Sequence, residues 1–515
     1  VAFVSLGMTA IANKTAENDH LLPHNPERGT VPVQQLDSPA KTATETTGRT
    51  PPVIRLLVLA TFIVILNETI MINAIPNLMG ALNITEQTAQ WLSTAFMLTM
   101  AAVIPITGWF MQRVSTRSAY ATAMGLFLVG TALAIVAPTF EVLLAARIIQ
   151  ASGTAVMMPL LMTTLMHVVP EQDRGKVMGN VTLAISVAPA MGPAISGVIL
   201  NFGSWRLLFG VVLPIAALIT WGGMKQLKNV GEPVVSNIDW FSVGLAAFGF
   251  GGLVYGLSRF QGGSMGLAAG IVVAGLAAIA VFVFRQLSLQ KTGTPLMDLR
   301  TLKHRTYTIA LIMMSVAFMA MLGSMILLPL YLQNVRGLSA LETGLLVMPG
   351  GLAMGLLGPT VGRLFDKFGG RVLVIPGAIA ITLALAGFTQ VSMTMPYWQL
   401  LVLHAMMMVG LAATFTPVFT LGLGAVPPHL YSHGSSILGT LQQVAAAFGT
   451  ALVVTVMSAR ADSLKAEGVA ASAALLDGMR LAFIIGMVLS IAVIITAFLL
   501  PARADSSAGH GGHGH

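Results

Sequence analysis

The chain has 515 residues, 55% of them hydrophobic and only 9% charged, where a water-soluble domain carries about 25% charged residues. No soluble fold of this length can hide so much apolar surface, which leaves a polytopic membrane protein. In such a chain a net charge of +8 reports topology and not nucleic-acid binding, and the lack of cysteine excludes disulfides and thiol chemistry.

Residues 1–12, VAFVSLGMTAIA, do not read as a cleavable secretion signal: the stretch is short, lacks a basic start and runs into a polar segment. A first residue of valine reads as a non-standard start codon or a trimmed sequence. Residues 1–52 read as a disordered cytoplasmic tail. From Val53 onward, apolar runs of roughly 20 residues recur, each long enough to cross a ~30 Å hydrocarbon core as a helix. Their centres fall near 65, 100, 128, 152, 187, 214, 248, 277, 319, 352, 381, 411, 446 and 488, which predicts about fourteen helices. The runs lack the alternation of a lipid-facing barrel. The expected division is an N-terminal six-helix bundle (53–224), two inserted transmembrane helices (239–288), a cytoplasmic loop (289–305), a C-terminal six-helix bundle (306–500) and a cytoplasmic tail (501–515).

Charge placement supports this count. With the N-terminal tail inside, 20 of the 27 Lys and Arg residues fall on the cytoplasmic side, six fall opposite, and Arg147 lies within a helix. The chain also repeats itself. GWFMQRVSTRS (108–118) after the second helix matches GRLFDKFGGRV (362–372) after the tenth, at one offset, and VVPEQDRGKVMG (168–179) echoes AVPPHLYSHGSSILG (425–439). The expected fold is all-α, with two six-helix bundles related by a pseudo-two-fold axis along the membrane normal.

Several polar positions stand out. LNETIMINAIP (66–76) sets Glu68 inside the first span. An ionised carboxylate at the bilayer centre costs about 2.5–3.5 kcal/mol on insertion scales, so it must face a cavity or a partner. A carboxyl that alternates between charged and neutral can carry a proton: charged it attracts a cation, neutral it releases it. The alternative is a protonated carboxyl bridging helices. Thr61 shares its face, while Thr69 and Asn73 form a separate polar stripe. Arg147 is the other buried charge, with Gln150 one turn on. Arginine keeps its proton, so it either tunes a neighbouring acid or serves as a structural partner.

Trp91, Phe96, Met97, Asn73 and Met158 are candidate substrate contacts, because aromatic and methionine side chains suit loose recognition; packing against lipid or helices is the alternative. Gly192, Pro193 and Gly197 are expected to allow close packing and a bend in the fifth helix. Gly108, Arg113 and Arg117, with Gly362, Asp366 and Arg371, sit at cytoplasmic helix ends. Salt bridges there would latch one conformation, against plain positive-inside charge as the bland reading. His404, His429 and His433 show no metal-ligand spacing, the terminal GHGGHGH reads as a flexible tail, and no GxxxxGK[ST] stretch offers a means of using ATP.

In sequence order, LNETIMINAIP, GWFMQRVSTR, ARIIQASG (146–153) and APAMGPAISG (188–197) resemble the motifs of the major facilitator superfamily. Within it the chain resembles the fourteen-helix drug:proton antiporter branch of EmrB- and QacA-like exporters. The LNETI form is similar to a lincomycin-resistance-type subgroup. Much of the branch has an aspartate at Asn67, so here the carboxylate has moved one position, about 100° around the helix. Gln112 and Ser115 replace the family's Asp and Gly, which the second copy keeps as Asp366 and Gly369. The resemblance implies a transporter, not an enzyme: a proton-coupled antiporter exporting lipophilic, cationic or amphipathic compounds by alternating access. It implies a part for Arg147 in proton transfer or in organising the fourth helix; with the reading of the residues above, Glu68, Asn67 and Arg147 are the expected proton-coupling set and Thr61 joins the expected cavity residues. It implies a bacterial-type inner membrane with both termini cytoplasmic, and no cofactor beyond the proton gradient. The expected partners are a small-molecule substrate, protons and the bilayer, without nucleic acid, for a monomer. Export of a physiological solute such as a lipid, siderophore or amino acid is the nearest alternative; a membrane enzyme is more remote.

Overall fold

The computed structural model describes residues 51–227, 229, 238–260, 265–292 and 295–501. The two expected tails lie outside them, except residues 51, 52 and 501, as do the side chains of Asn73 and Pro193.

The first bundle comprises α1 (Pro52–Leu82), α2 (Glu86–Arg113), α3 (Thr116–Val136), α4 (Phe140–Val168), α5 (Arg174–Phe202) and α6 (Arg206–Gln226). A broken span follows: α7 (Trp240–Ala246) and α8 (Gly252–Arg259) are joined by a π-helical turn at Ala247–Gly251, and α9 (Met265–Thr292) pairs with them. The second bundle comprises α10 (Arg305–Leu330), α11 (Ala340–Phe368), α12 (Arg371–Phe388), α13 (Tyr397–Gly424), α14 (Tyr431–Ala466) and α15 (Ala471–Leu499). Fourteen spans among the described residues are long and apolar enough to cross a membrane. Large apolar side chains such as Leu218, Trp221, Phe284 and Ile495 are exposed on their outer faces, as expected where lipid is the solvent.

Local chemistry sets the helix ends. Pro52 opens α1, Thr85 caps α2 by accepting from the Thr88 amide, and Ser339 with Glu342 forms a reciprocal capping box on α11. The two copies of the basic loop close differently. Gly369 ends α11 at φ 84°, a left-handed conformation that favours glycine. Ser115 at the matching position has φ −64° and caps α3 through the Ser118 amide. Loss of the glycine therefore came with a different turn, in which the side chain does the work of the backbone.

The halves meet along two seams, α5 on α11 and α2 on α14. The α5/α11 seam is lined with glycine: a Cβ at Gly179 or Gly358 would collide with the opposing backbone. The inserted helices pack against α2 and, through α8, against α14. An apolar cavity of about 300 Å³ lies between them and α10 and α14, lined by Leu253, Leu276, Met319 and Phe448 among others.

Candidate functional site

A polar cluster sits where α1 meets α4, inside the first bundle. Arg147 is 1% exposed and donates from Nη1 to Gln150 Oε1 at 2.9 Å. Gln150 Nε2 donates in turn to Thr131 Oγ1 on α3 at 2.8 Å, and Thr131 donates to the Phe127 carbonyl at 2.6 Å. The guanidinium lies over the Phe96 ring of α2, 4.2 Å from its centroid. These partners fix Arg147 so that its charge acts on Glu68, which faces it electrostatically without a direct ion pair and keeps partial exposure.

Two buried side-chain donors on these helices lack an acceptor, Nδ2 of Asn67 on α1 and Nε of Arg147 on α4. A buried donor left unpaired costs about 1–3 kcal/mol.

The remaining sequence candidates fall in several places. Thr61 is 1% exposed and its hydroxyl returns to the Leu57 carbonyl at 2.8 Å. Phe96 lies beneath Arg147 rather than free to meet a substrate. Trp91 packs on Tyr255 of the inserted α8, with ring centroids 5.7 Å apart. Met97 and Met158 are half-buried. Gly192 behaves as a close-packing residue: its Cβ position would lie 2.8 Å from Cβ of Thr69, and Thr69 is hydrogen-bonded to its own turn at Leu66. Gly197 does not, since nothing lies within 4 Å of its Cβ position; only the first glycine of the helix-five motif faces α1. Sequence reasoning picked out Arg147 and Gln150 but missed Thr131, which lies on another helix and carries no motif of its own.

The gating candidates divide likewise. Gly362 abuts the Gly175 backbone across the α5/α11 seam. Asp366 does not form the expected salt bridge. Its carboxylate accepts the amides of Gly175 and Lys176, at 2.9 and 2.7 Å, capping the first turn of α5 from the opposite half. Arg371 is not at the seam, because it donates to the Phe498 carbonyl at the end of α15 in its own half. Arg113 rests on Trp109, 5.6 Å from the ring centroid, and the Arg117 amide donates to Asn229 Oδ1 at 3.3 Å. Gly108 packs on His433 of α14.

More hydrogen bonds join the halves at this basic end. Thr163 pairs with Ser435 and Thr182 with Thr416, both at 2.8 Å, and Ser436 donates to the Ile104 carbonyl at 2.6 Å. Arg174 and Tyr431, matched by the internal repeat, meet each other at 3.5 Å. A bundle pair sealed at one end, with a carboxylate and a guanidinium held within one half, is the geometry of a carrier. No group of side chains suited to hold a metal ion occurs among the described residues.

Comparison with known proteins agrees. Residues 57–450 match the family model of the Major Facilitator Superfamily. The lincomycin resistance protein LmrB of Listeria monocytogenes is 39% identical over 461 residues, covering 88% of this chain and 97% of that protein. LmrB of Bacillus subtilis is 36% identical over 459 residues, covering 87% and 95%. Among solved structures, the proton:xylose symporter XylE superposes with a TM-score of 0.59 at 15% identity, covering 86% of this chain and 95% of its own, a likeness of fold alone. The chain belongs to the Major Facilitator Superfamily and is a membrane transporter, not an enzyme.

Proposed function

We propose that this transporter exports lipophilic, cationic or amphipathic compounds, lincosamides among them, in exchange for protons. The observation that carries the reading is the pairing of Glu68 with Arg147: a half-buried glutamate on α1 in the field of a buried guanidinium that Gln150 and Phe96 hold in place. Deprotonated, Glu68 supplies the negative charge that a cationic or amphipathic compound needs at mid-membrane; protonated, it removes that charge and lets the compound go. The seams then separate at one end and close at the other, so that the cluster meets each side of the membrane in turn. Resistance functions named for relatives 36–39% identical support drug export. The Lys and Arg asymmetry supports cytoplasmic termini in a bacterial-type inner membrane.

Everted vesicles carrying the protein provide the test. With an imposed pH gradient, added lincomycin should dissipate the gradient and accumulate inside. Glu68→Gln should abolish both while the protein still inserts at normal levels. Gradient-driven transport by Glu68→Gln at the native rate would end the proposal.

A further inference from the structure

The two bundles carry an ionisable side chain at the same place, and only one of the two is partnered. Phe140 opens α4 as Tyr397 opens α13, and Pro170 follows the first as Pro427 follows the second. The same spacing pairs Gly153 with Gly410. Gly153 lies against Ala123 and Phe127 of α3, and Gly410 against Gly377 and Ile381 of α12, residues matched by the spacing between Gly108 and Gly362. In this register Arg147 corresponds to His404, and Phe96 of α2, beneath Arg147, corresponds to Gly350 of α11. The contacts keep the correspondence: a Cβ on Gly350 would collide with Cδ2 of the His404 ring and stand 2.8 Å from its Nε2.

The surroundings differ. Arg147 is held by Gln150, and Gln150 by Thr131. Their counterparts in the second bundle are Met407 and Leu385, both buried and apolar. His404 is 2% exposed, and neither ring nitrogen has a hydrogen-bond partner among the described residues. The Val347 carbonyl, one turn before Gly350, acts on the ring from outside hydrogen-bonding geometry, and no charged side chain among the described residues acts on it. On α5, α10 and α12 the titratable groups sit in the first turn: Arg174 and Lys176, Arg305 and Tyr307, and Arg371. The nearest on α11, Glu342 and Arg363, are eight and thirteen residues from Gly350, about 12 and 20 Å along the helix. Those of α14 lie towards its ends, Tyr431 and His433 at one and Arg460 at the other. A protonated ring would therefore be a buried cation without a counter-charge, and even the neutral ring leaves a donor and an acceptor unpaired.

His404 also lies level with Glu68. Thr69, next to Glu68, reaches the Ala188 carbonyl of α5 at 3.5 Å and packs on Gly192. Between those two positions Ala190 meets α11, where a Cβ on Gly351 would stand 2.8 Å from the Ala190 Cβ. Gly350, the adjoining residue, meets His404. One turn of α5 and a pair of glycines thus separate the ring from the turn that bears Glu68, and they do so in a seam that parts when the carrier opens.

We infer that His404 is a second proton-exchanging site, the switchable counterpart in the second bundle of the fixed charge at Arg147. Where the seam opens, water reaches the ring past the bare backbone of Gly350, and a ring nitrogen takes a proton from it. On the other side of the membrane the ring returns that proton to water before the bundles seal. Arginine keeps its proton, whereas imidazole gains and loses one near neutral pH. With Glu68, the cycle then brings in two protons for each compound exported, and one net positive charge when the compound is a monovalent cation. This rests on the proton-exchange reading above.

Everted vesicles with equal pH on both sides, and lincomycin held as its monovalent ammonium form, test the count. A potassium-diffusion potential, positive inside, opposes passive entry of the cation. Two protons leaving for one cation entering carry one charge outward, so about 60 mV should drive about tenfold accumulation by the native protein. His404→Gln should lose this response and keep a smaller accumulation driven by an imposed pH gradient. Deuterium exchange at the histidine C2 positions, read by mass spectrometry across pH, needs no variant. It proceeds through the protonated ring, so exchange at His404 should follow a titration curve; this measurement decides if His404→Gln fails to insert or loses both responses. Indifference of the native protein to potential, a native response in His404→Gln, or a His404 that exchanges at no pH would overturn the inference and leave Glu68 in place. If the native protein accumulates nothing under a pH gradient either, proton exchange falls and this inference with it.

Discussion

Asp366→Asn is the sharpest perturbation of the closed state. In the native protein one carboxylate spans the seam, with one oxygen on the Gly175 amide and the other on that of Lys176. Hydrogen bonds to a charged group contribute about 1.5–3 kcal/mol each, and the helix N-terminus adds about 0.3–1 kcal/mol for a negative charge. Asparagine keeps one acceptor and loses the charge, so the closed form should weaken by about 2 kcal/mol. That is roughly a 30-fold change in the gating equilibrium, since each 1.4 kcal/mol is tenfold. An open population of ~1% would rise to ~20–25%. Spin labels on Ser118→Cys and Val372→Cys, matched exposed positions at the starts of α3 and α12, read this as a longer-distance component in pulsed dipolar spectra. A distance distribution unchanged by Asp366→Asn would refute the latch, because those two bonds are too short to be replaced without cost.

Glycine positions in the helix-five motif should separate cleanly. Gly192→Val must push Thr69 and α1 aside, an overpacking cost of about 1–3 kcal/mol, and should reduce export severely, whereas Gly197→Ala meets open space and should transport normally; equal losses in a vesicle assay would contradict the packing. Arg147→Lys keeps the charge but loses the planar contact with Phe96 and the fixed reach to Gln150, so gradient-driven transport should fall at least about tenfold with membrane insertion unchanged. Asp239 titrates at about 2, held down first by its hydrogen bonds from Arg285. A depressed carboxylate contributes its stability in full above the unfolded value of ~3.9 and loses it only as pH falls towards 2. Asp239→Asn should therefore lower the thermal midpoint by about 2 °C, equally at pH 5 and pH 8; a pH-dependent difference in that window would show that another group is titrating.

Much of this protein was legible in the order of its residues. Run lengths near 20 apolar residues set the number of spans, because each span must satisfy its own backbone in lipid. The Lys and Arg count set a polarity, and the constant offset between Gly108 and Gly362 exposed the repeat. Glu68 and Arg147 were visible as charges where charge is costly. Partnership was not visible. Gln150 reaches Thr131 across nineteen positions of chain, Asp366 finds amides on another bundle instead of a basic side chain, and Arg371 turns to its own half. Trp91 meets an inserted helix, and Gly197 meets nothing within 4 Å. Along a helix, sequence fixes which residues share a face, because that depends on a local period of 3.6. Which face meets which neighbour depends on how fourteen cylinders pack, a sum of many weak contacts between distant segments that no local pattern encodes.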